Sequence, residues 1–251
     1  MMTVTDKVEC TTGTAEWERF ISDVTSAKSR LGQQQHLNNC KEPVLDFYQD
    51  IKYLIPNAVY MQCKRLPDTV LVVAAAPALV LIALITALLI KMEDGGAIFF
   101  VQPRIGFRGR IFRIFKFRTM RTDTSAQLEF TERNDTRITR IGRVLRRHRI
   151  DELPQVINIL RGEMSWIGPR PESLPLSRWY QSMIPFYAYR HIIKPGISGL
   201  AQVQQGWAAQ LEDVEKKLGY DLYYIKNFSP WLDAFVLSRT FQVIATGFGA
   251  R

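Results

Sequence analysis

The sequence predicts an α/β fold, rich in helix: a compact domain with a small β-hairpin, amphipathic interfacial helices and a re-entrant membrane helix. Three observations predict it. Residues 69–90 hold 22 residues without a charge, long enough as a helix to cross a hydrocarbon core about 30 Å thick. Residues 97–101 (AIFFV) and 111–117 (IFRIFKF) read as short strands, with Pro103, Gly106 and Gly109 between them to turn the chain. Between 104 and 149, fourteen basic residues face four acidic ones. Within that stretch Ile138, Ile141, Val144, Leu145 and His148 form an apolar stripe against Arg137, Arg140, Arg143 and Arg147, the pattern of a helix lying on an anionic membrane surface.

The apolar run is interrupted by Pro77, which removes a backbone hydrogen bond and bends a helix. Lys64 and Arg65 precede it, and Lys91 and the basic stretch follow it. Basic flanks on both sides give no preference for placing one end outside the cell. A helix that enters, bends at Pro77 and returns to the same face satisfies both ends.

A chain of 251 residues holds one sizeable domain with an extension. With 47% hydrophobic and 23% charged residues it is not a disordered chain. A net charge of +9 suits an anionic partner: nucleic acid, membrane headgroups or a phosphorylated substrate. No helix-turn-helix or RRM-like pattern is visible, so nucleic acid is not expected. Cys10, Cys40 and Cys63 are widely spaced, without CxxC, and read as free thiols in a reducing compartment. His36, His148 and His191 are too scattered for a histidine metal site; a metal here would be a hard cation on oxygen ligands. The first 30 residues are polar, unlike a cleavable signal peptide.

In order, the chain divides into an N-terminal helical extension (1–63), a membrane helix region (64–94) and a cytoplasmic-face domain (95–251). Apolar spacing in the extension predicts helices near 17–24 and 44–55. Beyond the basic stretch, Trp179, Tyr180, Met183, Phe186, Tyr187 and Tyr189 serve either a bilayer edge or a core. KPGISG (194–199) is a turn-rich loop, and 207–219 reads as a charged helix ending at Gly219.

Chemistry concentrates in 146–171, RRHRIDELPQVINILRGEMSWIGPRP. Asp151 and Glu152 stand side by side, with Arg146, Arg147 and Arg149 before them and Arg161 and Arg170 after. Pro154 suits a first helical turn, Val156, Ile157, Ile159 and Leu160 continue a helix, and Gly162 ends it. A helix N-terminus favours negative charge, and with the arginines it should keep Asp151 ionised. Acids at a helix start are ordinary caps; acids among arginines, followed by an arginine held between prolines, point to phosphate chemistry.

Four strings, KFRTM (116–120), LRRHRIDELPQVINILRGEMSWIGPRPE (145–172), KPGISGLAQV (194–203) and YDLYYIKNFSPWLD (220–233), resemble the bacterial sugar transferases, monotopic polyprenyl-phosphate phosphoglycosyl transferases. The resemblance runs through about residues 64–240. It implies transfer of a sugar 1-phosphate from a nucleotide diphosphosugar, expected to be a UDP-sugar, to polyprenyl (undecaprenyl) phosphate. The setting is the cytoplasmic face of the bacterial inner membrane, at the first step of exopolysaccharide or glycan assembly. It further implies a re-entrant helix broken at a Ser-Pro pair, here Ala76-Pro77. Asp151 is then the nucleophile of a covalent phosphosugar intermediate, with Glu152 and Asp151 holding Mg²⁺. Arg170, Arg146, Lys116, Arg118 and Asp221 are the expected substrate- and phosphate-binding residues. Where many members carry an NGR-like string after AQV, this chain has QQGWAAQLEDVEKKL (204–218), the neighbourhood associated with donor recognition. A homo-oligomer is compatible with all of this. Two other functions use the same charge and anchor: a membrane-bound basic module for acidic lipid or nucleic acid, and a polyprenyl diphosphate hydrolase. The first leaves the acidic pair without a job; release of inorganic phosphate would mark the second.

Overall fold

A computed structural model describes residues 57–121, 136–205 and 211–246, all within one compact unit of the chain. The helices expected near 17–24 and 44–55 lie outside the described residues. A short helix α1 (Ala58–Cys63), capped by the Asn57 side chain, leads into α2 (Arg65–Asp94). At 1.5 Å per residue the 30 residues of α2 extend about 45 Å. The helix runs through Pro77 and stops at Gly95, which adopts φ +70°. It is long and apolar enough to cross a membrane, and Val73, Leu81, Leu84 and Leu88 are exposed.

Both ends of α2 pack on the same domain. Near its start Val72 is buried with Phe112, Ile114, Ile159 and Met164. Near its end Ile90 is buried with Phe117 and Leu145. Phe112, Ile114 and Phe117 all belong to β2 (Ile111–Phe117), which pairs antiparallel with β1 (Phe99–Ile105). The hairpin was expected, but β1 begins later and extends through Pro103. In a two-stranded sheet both strands are edges, so a residue without an N–H is tolerated.

The basic amphipathic helix is α3 (Arg140–Arg147), whose N-cap Thr139 accepts a hydrogen bond from Gly142 N–H. Gly142 must be glycine for close approach: a Cβ there would lie 2.2 Å from the Thr119 carbonyl oxygen. That contact presses α3 onto the segment following β2. Next come a 3-10 turn (Ile150–Gln155), α4 (Val156–Leu160), β3 (Ser165–Ile167) and α5 (Leu174–Met183). A further 3-10 turn (Tyr187–His191) precedes β4 (Gly196–Ser198), which pairs parallel with β3. Three helices close the domain: α6 (Leu200–Gln204), α7 (Leu211–Lys226) and α8 (Pro230–Thr246).

α7 does not end at Gly219 as its spacing suggested. Glycine inside a helix costs about 1 kcal/mol relative to alanine. Burial of Leu218, Tyr224 and Ile225 on either side outweighs it. The largest core cluster gathers Ile167, Ile192, Ile193, Leu200, Tyr224, Ile225, Phe228 and Val236. Beside it, Asp233 accepts hydrogen bonds from Tyr60, Lys64 and Tyr224, so the last residues of the expected extension are fastened to the domain.

Candidate active site

Local backbone geometry sets the acidic pair. Arg149 takes a left-handed conformation, φ 55° and ψ 22°, immediately before the 3-10 turn that carries Asp151 and Glu152. Such a conformation is uncommon outside glycine and clusters at functional positions. The turn is not the α-helical start expected: Pro154 lies inside a 3-10 segment, and α4 begins only at Val156. Asn158, fully buried in α4, accepts a hydrogen bond from Phe115 N–H (3.2 Å) and donates to the Arg113 carbonyl (2.8 Å). It thereby clamps the acidic turn to β2, and period-two alternation puts Lys116 on the same face as buried Phe112 and Ile114.

From the other side, β3 delivers Arg170. Its backbone is held at three consecutive carbonyls. Pro169 O accepts from Gly196 N–H (3.1 Å), Arg170 O from Arg190 Nη2 (2.8 Å), and Pro171 O from Arg104 Nη1 (3.0 Å). The Arg170 guanidinium then donates from Nη1 to Glu152 Oε2 (3.2 Å) and from Nη2 to Oε1, a two-pronged pair. Lys116 Nζ lies 3.4 Å from Glu152 Oε1.

The electrostatics separate the two acids. Burial alone would raise the Glu152 carboxyl, but Arg170 and Lys116 outweigh it and hold the group well below the usual range. Asp151 goes the other way. Burial, and then the neighbouring Glu152 charge, push it up to about 6, against Lys116, Arg170 and Arg146. The helix end and the arginines were expected to keep Asp151 ionised; Lys116, Arg170 and Arg146 do draw it down, but burial and the Glu152 charge outweigh them. At pH 7 such a group is still about nine-tenths ionised, and more basic than an ordinary carboxylate. Burial lowers the Lys116 ammonium to about 8 despite Glu152. Neighbouring acids whose environments push them apart suit different roles.

The remaining expected residues divide. Arg146 reaches Thr119 Oγ1 (2.9 Å) and Met120 Sδ (3.3 Å) in the KFRTM segment and bears on Asp151 electrostatically. Arg118 is instead ion-paired to Asp94 at the end of α2. Asp221 is 1% exposed and bound to Arg190 through Nε (3.1 Å) and Nη2 (2.7 Å). Its reach to the site is indirect, through Arg190 to the Arg170 carbonyl. Sequence reasoning did not single out Arg190, Arg104 or Glu172. Burial would raise Glu172, but Lys217 and Arg190 draw it down to about 2, and Arg104 adds to them. A lone arginine within the aromatic string FYAYRH (186–191) was the available signal for Arg190.

No group of three His, Cys, Asp or Glu side chains among the described residues could hold a metal on protein ligands alone. Both Glu152 oxygens already accept from cationic side chains. A cation at the pair would have to take most of its ligands from substrate and water. Mg²⁺ is such an ion, held by one or two carboxylates together with substrate phosphates.

Residues 59–247 match the family model described as bacterial sugar transferase. The chain is 43% identical over 94% of its length to a UDP-N-acetylgalactosamine-undecaprenyl-phosphate N-acetylgalactosaminephosphotransferase of Aeromonas hydrophila, covering 57% of that protein. It is 42% identical over 72% of its length to a UDP-glucose:undecaprenyl-phosphate glucose-1-phosphate transferase of Xanthomonas campestris pv. campestris, covering 38% of it. A Caulobacter vibrioides protein of the same description is 41% identical over 73% of this chain and 70% of its own length. The chain thus spans about half the length of the first two relatives. With the match taking in the acidic turn, the Arg170 segment and the membrane-length helix alike, the chain belongs to the bacterial sugar transferase family.

Proposed function

We propose that this chain transfers a sugar 1-phosphate from a UDP-sugar to a polyprenyl phosphate, at the cytoplasmic face of the bacterial inner membrane, opening exopolysaccharide or glycan assembly. The observation that carries the reading is the split acidic pair. Asp151 is ionised yet basic, beside a Glu152 neutralised by Arg170 and Lys116. Its relatives are described as acting on UDP-sugars and undecaprenyl phosphate. A carboxylate can open a diphosphate by forming an acyl phosphate, which splits one displacement into two.

In the first step an Asp151 oxygen attacks the phosphorus that bears the sugar. The bond from that phosphorus to the bridging oxygen breaks, and UMP leaves with the electron pair. In the second, a polyprenyl phosphate oxygen attacks the same phosphorus and Asp151 is released, leaving a sugar diphosphate on the lipid. Arg170 and Lys116 bear positive charge where the donor's phosphates gather, and Arg146 extends that surface towards Thr119. Mg²⁺, held by Asp151 and Glu152 with the diphosphate, would neutralise charge on the leaving group.

The same-face topology is part of this reading. Val72 and Ile90 are 18 residues apart, about 27 Å along a straight helix, yet both pack against one strand, β2. A single domain occupies one side of a bilayer, which supports a re-entrant α2 over a spanning one. Exposed Trp231 and Phe241 on α8 suit a domain seated at the interface.

The test is isotope exchange. Wild type should move labelled UMP into the UDP-sugar without any lipid acceptor, and Asp151→Asn should abolish both exchange and transfer. Exchange that appears only after polyprenyl phosphate is added would replace the covalent intermediate with direct in-line attack.

A further inference from the structure

Beside the acidic turn runs an apolar groove of about 330 Å³. One wall is Ile82, Ile85 and Leu89 of α2, the other is Ile141 and Val144 of α3, and Ile150 lines it next to the acidic pair. We infer that this groove takes the isoprenoid units nearest the phosphate of the polyprenyl phosphate acceptor, an assignment that rests on the reaction proposed above.

Position is the first support. Ile150, which lines the groove, immediately precedes Asp151, and consecutive Cα atoms are 3.8 Å apart, so the groove reaches the turn that carries the acidic pair. Composition is the second. Its walls are aliphatic apart from Thr86, which is buried, and offer almost nothing to a sugar or a nucleotide. Val144 is 56% exposed and Ile85 51%, so the groove is apolar surface with no protein cover among the described residues.

Charge and size narrow the occupant. Arg140, Arg143 and Arg147 share α3 with Val144, and Arg146 of the same helix reaches the KFRTM segment. An apolar wall on a helix that also carries cations matches a lipid whose chain ends in a phosphate. The volume lies near the lower bound of ligand clefts, roughly 300–1,000 Å³, which suits the first units of a long chain rather than all of it. The rest of the chain would follow the exposed apolar side of α2 into the bilayer. A phospholipid acyl chain has the same apolar character, and the experiment separates the two.

The full chain is reconstituted in phospholipid vesicles containing a small fraction of polyprenyl phosphate, with a benzophenone amino acid at Val144 or, as control, at exposed Trp231. Position 144 should label polyprenyl phosphate well above its share of the lipid, and position 231 only in proportion to that share. Labelling in proportion at both positions would make bilayer acyl chains the occupant and overturn the assignment. In parallel, Ile85→Trp and Val144→Trp should each raise KM for polyprenyl phosphate about tenfold, equivalent to about 1.4 kcal/mol, while KM for the UDP-sugar moves less than about twofold. An unchanged lipid KM in both variants, or equal rises in both constants, would also overturn it. Should wild type transfer nothing to any polyprenyl phosphate, the proposed reaction fails, and the photolabelling still decides what fills the groove.

Discussion

The raised Asp151 carboxyl makes a thermodynamic prediction that needs no substrate. Its folded-state value is about 6 against an ordinary 3.8. A group whose carboxyl is raised on folding binds its proton more tightly in the native state, so the native state loses stability as pH rises from about 4 to above 6. A shift of about two units corresponds to about 2–3 kcal/mol, at 1.36 kcal/mol per unit. Asp151→Asn removes the charge while keeping the shape. It should therefore stabilise the fold by about 2–3 kcal/mol at pH 8, with the gain fading to nothing near pH 4. For a domain of this size that is about 4–12 °C in Tm at pH 8. Paired melting curves of wild type and variant in detergent, followed by tryptophan fluorescence from pH 4 to 8, provide the measurement. Arg170 and Lys116 hold Glu152 well below this pH range, so it stays ionised in both proteins and the difference between the curves reports Asp151. A variant no more stable than wild type at pH 8, or one whose gain is the same at every pH, would refute the electrostatic account. In wild type the same ionisation should make UMP exchange climb with pH through about 6 and then level.

Arg170→Lys keeps the charge but loses the fork on Glu152, so turnover should fall by about 100-fold or more, as when one transition-state donor is removed, while the melting curve shows a folded protein; near-normal turnover would remove Arg170 from phosphate handling. For topology, exposed Cys63, left as the sole thiol after replacing Cys10 and Cys40 by Ser, and a second protein carrying Met92→Cys instead, should both resist a membrane-impermeant thiol reagent added outside intact cells and react after lysis. Labelling of one of the two from outside would establish a spanning helix.

The acidic pair and Arg170 were legible because neighbours in sequence and a proline-restricted arginine leave few alternative placements. The membrane-length helix was legible because length and apolarity are one-dimensional properties. Arg118 and Asp221 were not, because the side chains that claim them are 24 and 31 residues away. The resemblance places Arg118 near the site without revealing that Asp94 ends α2 within its reach. The resemblance names Asp221, beyond a helix expected to end at Gly219, without revealing that Arg190 is buried against it. The 3-10 turn escaped notice because Pro154 suits the opening of either helix type, and only packing against β2 selects between them. The differing fates of Asp151 and Glu152 follow from the same cause. Adjacent in sequence and chemically alike, they diverge because β2 and β3 bring Lys116 and Arg170 to one carboxylate. Those cations hold Glu152 charged, and burial together with that charge raises Asp151, so their division of labour is a property of tertiary structure that no reading of the DE string alone could supply.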